Sequence, residues 1–130
     1  MQGWHPREYE LCVDLYARHG VDLARQPLLD VGSVCRRQGS AEAERIVSLL
    51  NNLGLNRLHL YGSKTLGLAR FAPRIESSDS MAWSFAARYQ PRLRSCLHLG
   101  HCGNCRRYAL RWRSRLPASL AAQRADATVS

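Results

Sequence analysis

The residues best suited to chemistry lie in one ten-residue stretch, Cys96-Leu97-His98-Leu99-Gly100-His101-Cys102-Gly103-Asn104-Cys105. Three thiols and two imidazoles at this density suit tetrahedral zinc, which takes four sulfur or nitrogen ligands. Cys102 and Cys105 stand at the knuckle spacing Cys-x-x-Cys. We read Cys96, His98, Cys102 and Cys105 as the ligands, with His101 as the alternative to His98. Four protein ligands leave no open coordination position, so the expected role of Zn2+ is structural. A Cys-x-x-Cys ahead of a helix also fits a thioredoxin-type redox pair. That reading, like one of plain surface cysteines, leaves Cys96 and the two histidines without a purpose. The chain has five cysteines, an odd number that argues against a disulfide framework. Cys12 and Cys35 fall inside apolar patterns and read as packed thiols.

These residues must be positioned by helices and strands that alternate along the chain. Pro6 suits a first helical turn, and Tyr9, Cys12, Val13 and Tyr16 recur at helical spacing until Gly20 ends the run. Leu28 to Val34 reads as a buried strand opening into Gly32-Ser33. Ser40 can cap the next helix, whose inner face is Ile46, Val47, Leu50 and Leu53, with Gly54 as its stop. Arg57 to Tyr61 reads as a second strand closing on Gly62-Ser63-Lys64, followed by a short helix from Leu66 to Phe71 that Pro73 breaks. Ile75 to Ser78 reads as a third strand. Asp79 stands where it can cap a helix containing Met81, Trp83, Phe85 and Ala86. Arg106 to Leu116 reads as a basic helix, and the tail over 117–130 as flexible. This alternation predicts an α/β fold with parallel strands, whose functional loops lie at the strands' carboxyl ends. Three strands do not close a barrel, so the expected fold is incomplete.

Length and charge bound the partners. One hundred and thirty residues hold one modest core. No apolar run is long enough to span a membrane, and no basic-then-apolar leader opens the chain, so the expected location is cytoplasmic and no membrane partner is expected. The formal charge is +9, and it is unevenly spread. From residue 81 onward Arg88, Arg92, Arg94, Arg106, Arg107, Arg111, Arg113, Arg115 and Arg124 face a single acid, Asp126. Such a skew favours phosphate, because the guanidinium fork matches phosphate oxygens. A solvated basic face is the plainer reading, and the presence of one lysine, Lys64, points to compositional bias as a contributor.

Several segments together resemble the tRNA-guanine transglycosylases, most closely their DpdA-like relatives in deazapurine DNA modification. Gln2-Gly3-Trp4 resembles the strand end that contacts the purine. Asp30-Val31-Gly32-Ser33-Val34-Cys35-Arg36-Arg37-Gln38 resembles the next strand end, whose glycine backbone lines the base pocket. Leu58-His59-Leu60-Tyr61-Gly62-Ser63-Lys64 resembles the strand after that, and Ser77-Ser78-Asp79-Ser80-Met81-Ala82-Trp83-Ser84 falls where the family carries its nucleophilic aspartate. The likeness runs over about residues 1–115 and covers only the C-terminal half of an eight-stranded barrel; it implies an α/β fold that is a partial (β/α) TIM-type barrel over residues 1–116 and carries the zinc loop. It implies that Asp79 is the nucleophile and that Gln2, Gly32, Ser33 and, more weakly, Lys64 meet the substrate. It implies nucleic acid, DNA or tRNA, and a deazapurine base as partners, with the other half of the barrel a possible separate chain. The family's usual metal pattern is three cysteines and a distant histidine, whereas here a histidine lies inside the loop. Two other readings stand beside the enzyme: a zinc-stabilised, arginine-rich nucleic-acid-binding module, and an inactive truncated remnant.

Overall fold

The computed structural model describes residues 1–34, 41–63 and 65–128. The expected packing of Cys35, the Ser40 cap, the Arg36-Arg37-Gln38 part of the motif and the Lys64 contact lie outside them. The chain divides into two compact units, Met1–Asp79 and Ser80–Ser130. Among the described residues no helix is long and apolar enough to cross a membrane.

The first unit holds three parallel strands, β1 (Leu29–Val31), β2 (Leu58–Leu60) and β3 (Ser77–Ser78), adjacent in that order. Helices α1 (Pro6–Arg18), α2 (Ala41–Asn52) and α3 (Thr65–Phe71) lie between and before them. The strands are shorter than expected, yet pairing reaches past their ends: Leu29 N–H donates to Arg57 O at 2.8 Å and Tyr61 N–H to Val31 O at 3.3 Å. The sheet is open, and the described residues do not close it into a barrel.

Alternation along each strand decides which face the helices cover. Leu29, Val31, Leu58 and Leu60 are buried together with Tyr9, Ile46, Val47, Leu50 and Phe71. Asp30, His59 and Ser77 occupy one row across the sheet on the other face, since Asp30 pairs with His59 and His59 with Ser77. Gly54, at φ +81°, ends α2 as expected, but Leu53 lies beyond the helix and is exposed. On α1 only Tyr9 is buried; Tyr16, expected on the inner face, is exposed.

The second unit contains α4 (Ala82–Arg88), a long connection, and α5 (Arg106–Thr128). Its core is small: Ala87, Cys96, Cys102 and Tyr108, with Trp83, Leu93, Cys105 and Trp112 packed against it. Two of those four buried residues are cysteines, so the metal loop and the core are largely the same thing. The tail expected to be flexible is helical through Thr128. Ala118, Ala121, Ala122, Ala125 and Ala127 make this segment a strong helix former, and Pro117 is carried inside the helix.

Candidate metal centre and strand-end site

The connection before α5 brings Cys96, His98, Cys102 and Cys105 together, with one ligand atom of each within 4.8 Å of all the others. Cys96 Sγ lies 3.4 Å from Cys105 Sγ and 3.9 Å from Cys102 Sγ, and His98 Nε2 lies 3.6 Å from Cys102 Sγ. Ligands of a tetrahedral zinc-sized ion would stand about 3.8 Å apart for two sulfurs and about 3.6 Å for sulfur and nitrogen. The group therefore has the dimensions to hold a metal ion. All three cysteines are free thiols, and none forms a disulfide.

His101 is otherwise engaged: its Nδ1 accepts from Gly103 N–H at 3.1 Å, and a Cβ on Gly103 would meet that nitrogen at 2.9 Å. Close approach at Gly103 thus sets His101 as a brace of the knuckle, while His98 Nε2 faces the sulfurs. The thiols differ in acidity. Withdrawal from water, reinforced by the neighbouring thiols, pushes Cys96 up to about 11. The Tyr108 backbone N–H, then His98, holds Cys105 down to about 6. Arginines fasten the loop from outside: Arg92 donates to His98 O at 2.7 Å, and Arg107 donates to Ser95 O.

At the sheet, parallel pairing in register puts the carboxyl ends of β1, β2 and β3 along one edge. The amino terminus extends that edge: the Met1 amino group donates to Asp30 O at 2.5 Å, and Gly32 N–H donates to Met1 O at 2.9 Å. Gln2 is thereby set beside Gly32, where a Cβ would meet Gln2 Cγ at 3.1 Å and Nε2 at 3.4 Å. The space expected to admit a flat base directly over Gly32 is taken by the Gln2 side chain, so the glycine seats Gln2. Buried Tyr9 fixes the same turn, its hydroxyl donating to Gly32 O at 2.6 Å. Ser33 is half-buried at φ +64°, a backbone conformation that few non-glycine residues adopt.

Asp79 is exposed at the end of β3, and its Oδ1 accepts from Gly62 N–H across the strand ends. Asp79 does not hold the cap position of α4, which falls on Met81 with no side-chain cap bond; Ala82 N–H donates instead to Ser80 Oγ at 3.2 Å. Near Asp79 stands Tyr61, which the sequence offered only as the end of a strand. Tyr61, exposed, is hydrogen-bonded to the Asp30 carboxylate, whose acceptance and charge raise the phenol above its usual range, with a smaller push from Asp79. Its ring meets His59 edge-on at 5.0 Å, and His59 Nδ1 pairs with Ser77 Oγ at 2.8 Å. An acid between two apolar strand residues, Leu29-Asp30-Val31, was the available signal for this polar face.

The structure thus brings Gln2, Gly32, Ser33 and Asp79 to one sheet edge and the four metal-type residues to one loop. A groove of about 400 Å³ lined by Val13, Ala17, Leu23, Leu53 and Leu55 includes none of them. No curated protein and no solved structure matches the chain. A family model does match, over residues 1–130, and its description is DpdA, DeoxyPurine in DNA protein A. The chain belongs to that family.

Proposed function

We propose that this protein serves deazapurine modification of DNA by base exchange, with Asp79 as the nucleophile. Family membership supports DNA as the substrate, since the family is described by deoxypurine in DNA. The observation that carries the mechanism is the exposed Asp79 carboxylate at a strand's carboxyl end, oriented by Gly62 N–H, on the edge that also carries Gln2 and Gly32. Asp79 attacks the anomeric carbon; a carbon–oxygen bond forms as the glycosidic C–N bond breaks, and the departing guanine takes the electron pair and then a proton from solvent. The incoming deazapurine gives up a proton, attacks the same carbon and releases the carboxylate. The amide of Gln2 offers one donor group and one acceptor to a purine edge. Ser33 and Lys64 complete the proposed contacts.

Zinc is the proposed metal, held by Cys96, His98, Cys102 and Cys105. It supplies structure when bound, tying the connection to the start of α5. The open sheet is read as part of a β/α barrel whose other strands are supplied from outside these residues. With a chain supplying those strands, Asp79→Asn should lower incorporation of labelled base into DNA by more than about a thousandfold. Full exchange activity in that variant would remove the nucleophile.

A second reading, a zinc-stabilised module that binds nucleic acid without chemistry, is favoured by the compactness of Ser80–Ser130 and its arginines. It predicts DNA binding that weakens steeply with salt and with Arg106→Ala/Arg107→Ala, yet no exchange under any pairing of chains.

A further inference from the structure

The metal-type residues hold the loop at Cys96, His98, Cys102 and Cys105, but the residues either side of His98 point the other way. Leu97 is 96% exposed and Leu99 92% exposed, nearly all the surface a side chain can show. Cys96 on one side is buried, Cys102 on the other is fully buried, and Gly100 turns the chain between at φ +79°. The leucines are thus presented outward by a loop whose two ends are anchored. Single exposed leucines are ordinary on a protein surface. Two within three residues, at a loop tip whose backbone carbonyls are gripped by guanidinium groups, are less so. Arg92 reaches His98 O, the carbonyl between the leucines, and Arg107 reaches Ser95 O. Arg94 and Arg106 are exposed close by in sequence. No acidic residue occurs from Ser80 to Ala125.

An apolar tip alone would suit a protein groove or a lipid surface. An apolar tip flanked in sequence by arginines, with no carboxylate in the surrounding sequence, suits a polyanion with an apolar interior. Duplex DNA has that construction, phosphates outside and stacked bases within, and leucine is among the side chains that wedge between base steps. Chemistry on a base requires that base to leave the stack. We propose that Leu97 and Leu99 form a wedge that unstacks a step of duplex DNA while the surrounding arginines hold the phosphates. The proposal rests on the DNA-modification reading above and adds to it how a paired base is made available.

The test uses the full chain loaded with zinc, a duplex carrying 2-aminopurine, and the same oligonucleotide single-stranded. Wild-type protein should raise 2-aminopurine emission in the duplex. Leu97→Ala/Leu99→Ala should keep its zinc content and the salt slope of DNA binding, because the arginines remain, but lose the emission rise. On the single strand, where little stacking opposes the protein, the two proteins should behave alike. Duplex binding by the wild type without an emission rise, or an equal rise from the double variant, overturns the wedge and leaves the DNA reading standing. No DNA binding at all sinks both. Leucine-dependent binding to phosphatidylserine vesicles in place of DNA would make the loop a membrane contact and overturn the wedge.

Discussion

In the first unit the candidate residues come from positions 2, 32, 33 and 79, and only sheet pairing brings them to one edge. In the second they come from ten consecutive positions, and a single turn of loop suffices. The energetics differ in the same way. The first unit rests on an apolar core that includes Tyr9, Val31, Ile46, Leu50, Leu58, Leu60 and Phe71, none of which is a proposed site residue. The second counts Cys96 and Cys102 among its four buried core residues. One site is thus displayed by a fold that would exist without it, whereas the other helps to make its fold.

Removing the metal should expose that contrast most strongly. If zinc is bound as proposed, a chelator should unfold Ser80–Ser130 while Met1–Asp79 keeps its sheet. The stake is on the order of 10 kcal/mol for a structural zinc site, and hydrogen exchange resolved by segment would read it. Equal loss of protection in both units would break the comparison. Acid should act in the same direction as the chelator. Cys105, held near 6, is already a thiolate at neutral pH, whereas Cys96, pushed to about 11, must give up its proton to bind. Protons therefore compete with the ion, so affinity should climb as pH rises and the metal should be released as pH falls. Titration with a metal-binding dye across pH checks the sign.

Phe71→Ala should do the reverse of chelation, costing about 3–5 kcal/mol in the first unit through a core cavity and leaving metal content unchanged. Denaturant melts with a metal assay would show it. A smaller effect is expected of Tyr9→Phe, which deletes the hydroxyl that donates to Gly32 O and leaves that buried carbonyl short of a partner. Its cost should be about 1–3 kcal/mol, with exchange activity falling further than stability alone explains if the Gln2–Gly32 turn serves the base. Smallest should be Arg74→Ala. Arg74 bonds Glu44 at 2.8 Å and Ser48 Oγ at 2.5 Å, but both charges are about a third exposed, so about 1 kcal/mol or less is expected in the same melts.

Legibility in the sequence followed the same division. The metal loop was readable because ligand spacing is local: the cluster needs no distant residue to be recognised. Between His98 and His101 the sequence was silent, since the choice turns on the close approach at Gly103 that aims His101 at its own turn. Helices and strand order in the first unit were readable from periodicity, as were Gly54 as a stop and the parallel pairing. The polar face was not, because Asp30, His59 and Ser77 become neighbours only through a register that joins residues far apart in sequence. The Asp79 cap was misassigned since Ser80, one position on, offers the same chemistry to Ala82. Extension of α5 past Pro117 was missed because the small, polar, alanine-rich tail was read as fraying, while its alanines favour helix.

The nucleophile is the claim on which the functional account turns, and trapping it is the direct measurement. With exchange-competent protein and DNA, the reaction can be stopped by denaturation and the covalent protein–DNA product digested and sequenced by mass spectrometry. The account predicts a glycosyl ester on the peptide containing Asp79, absent from Asp79→Asn. An adduct on another carboxylate, Asp30 included, or active exchange with no adduct at all, would contradict it.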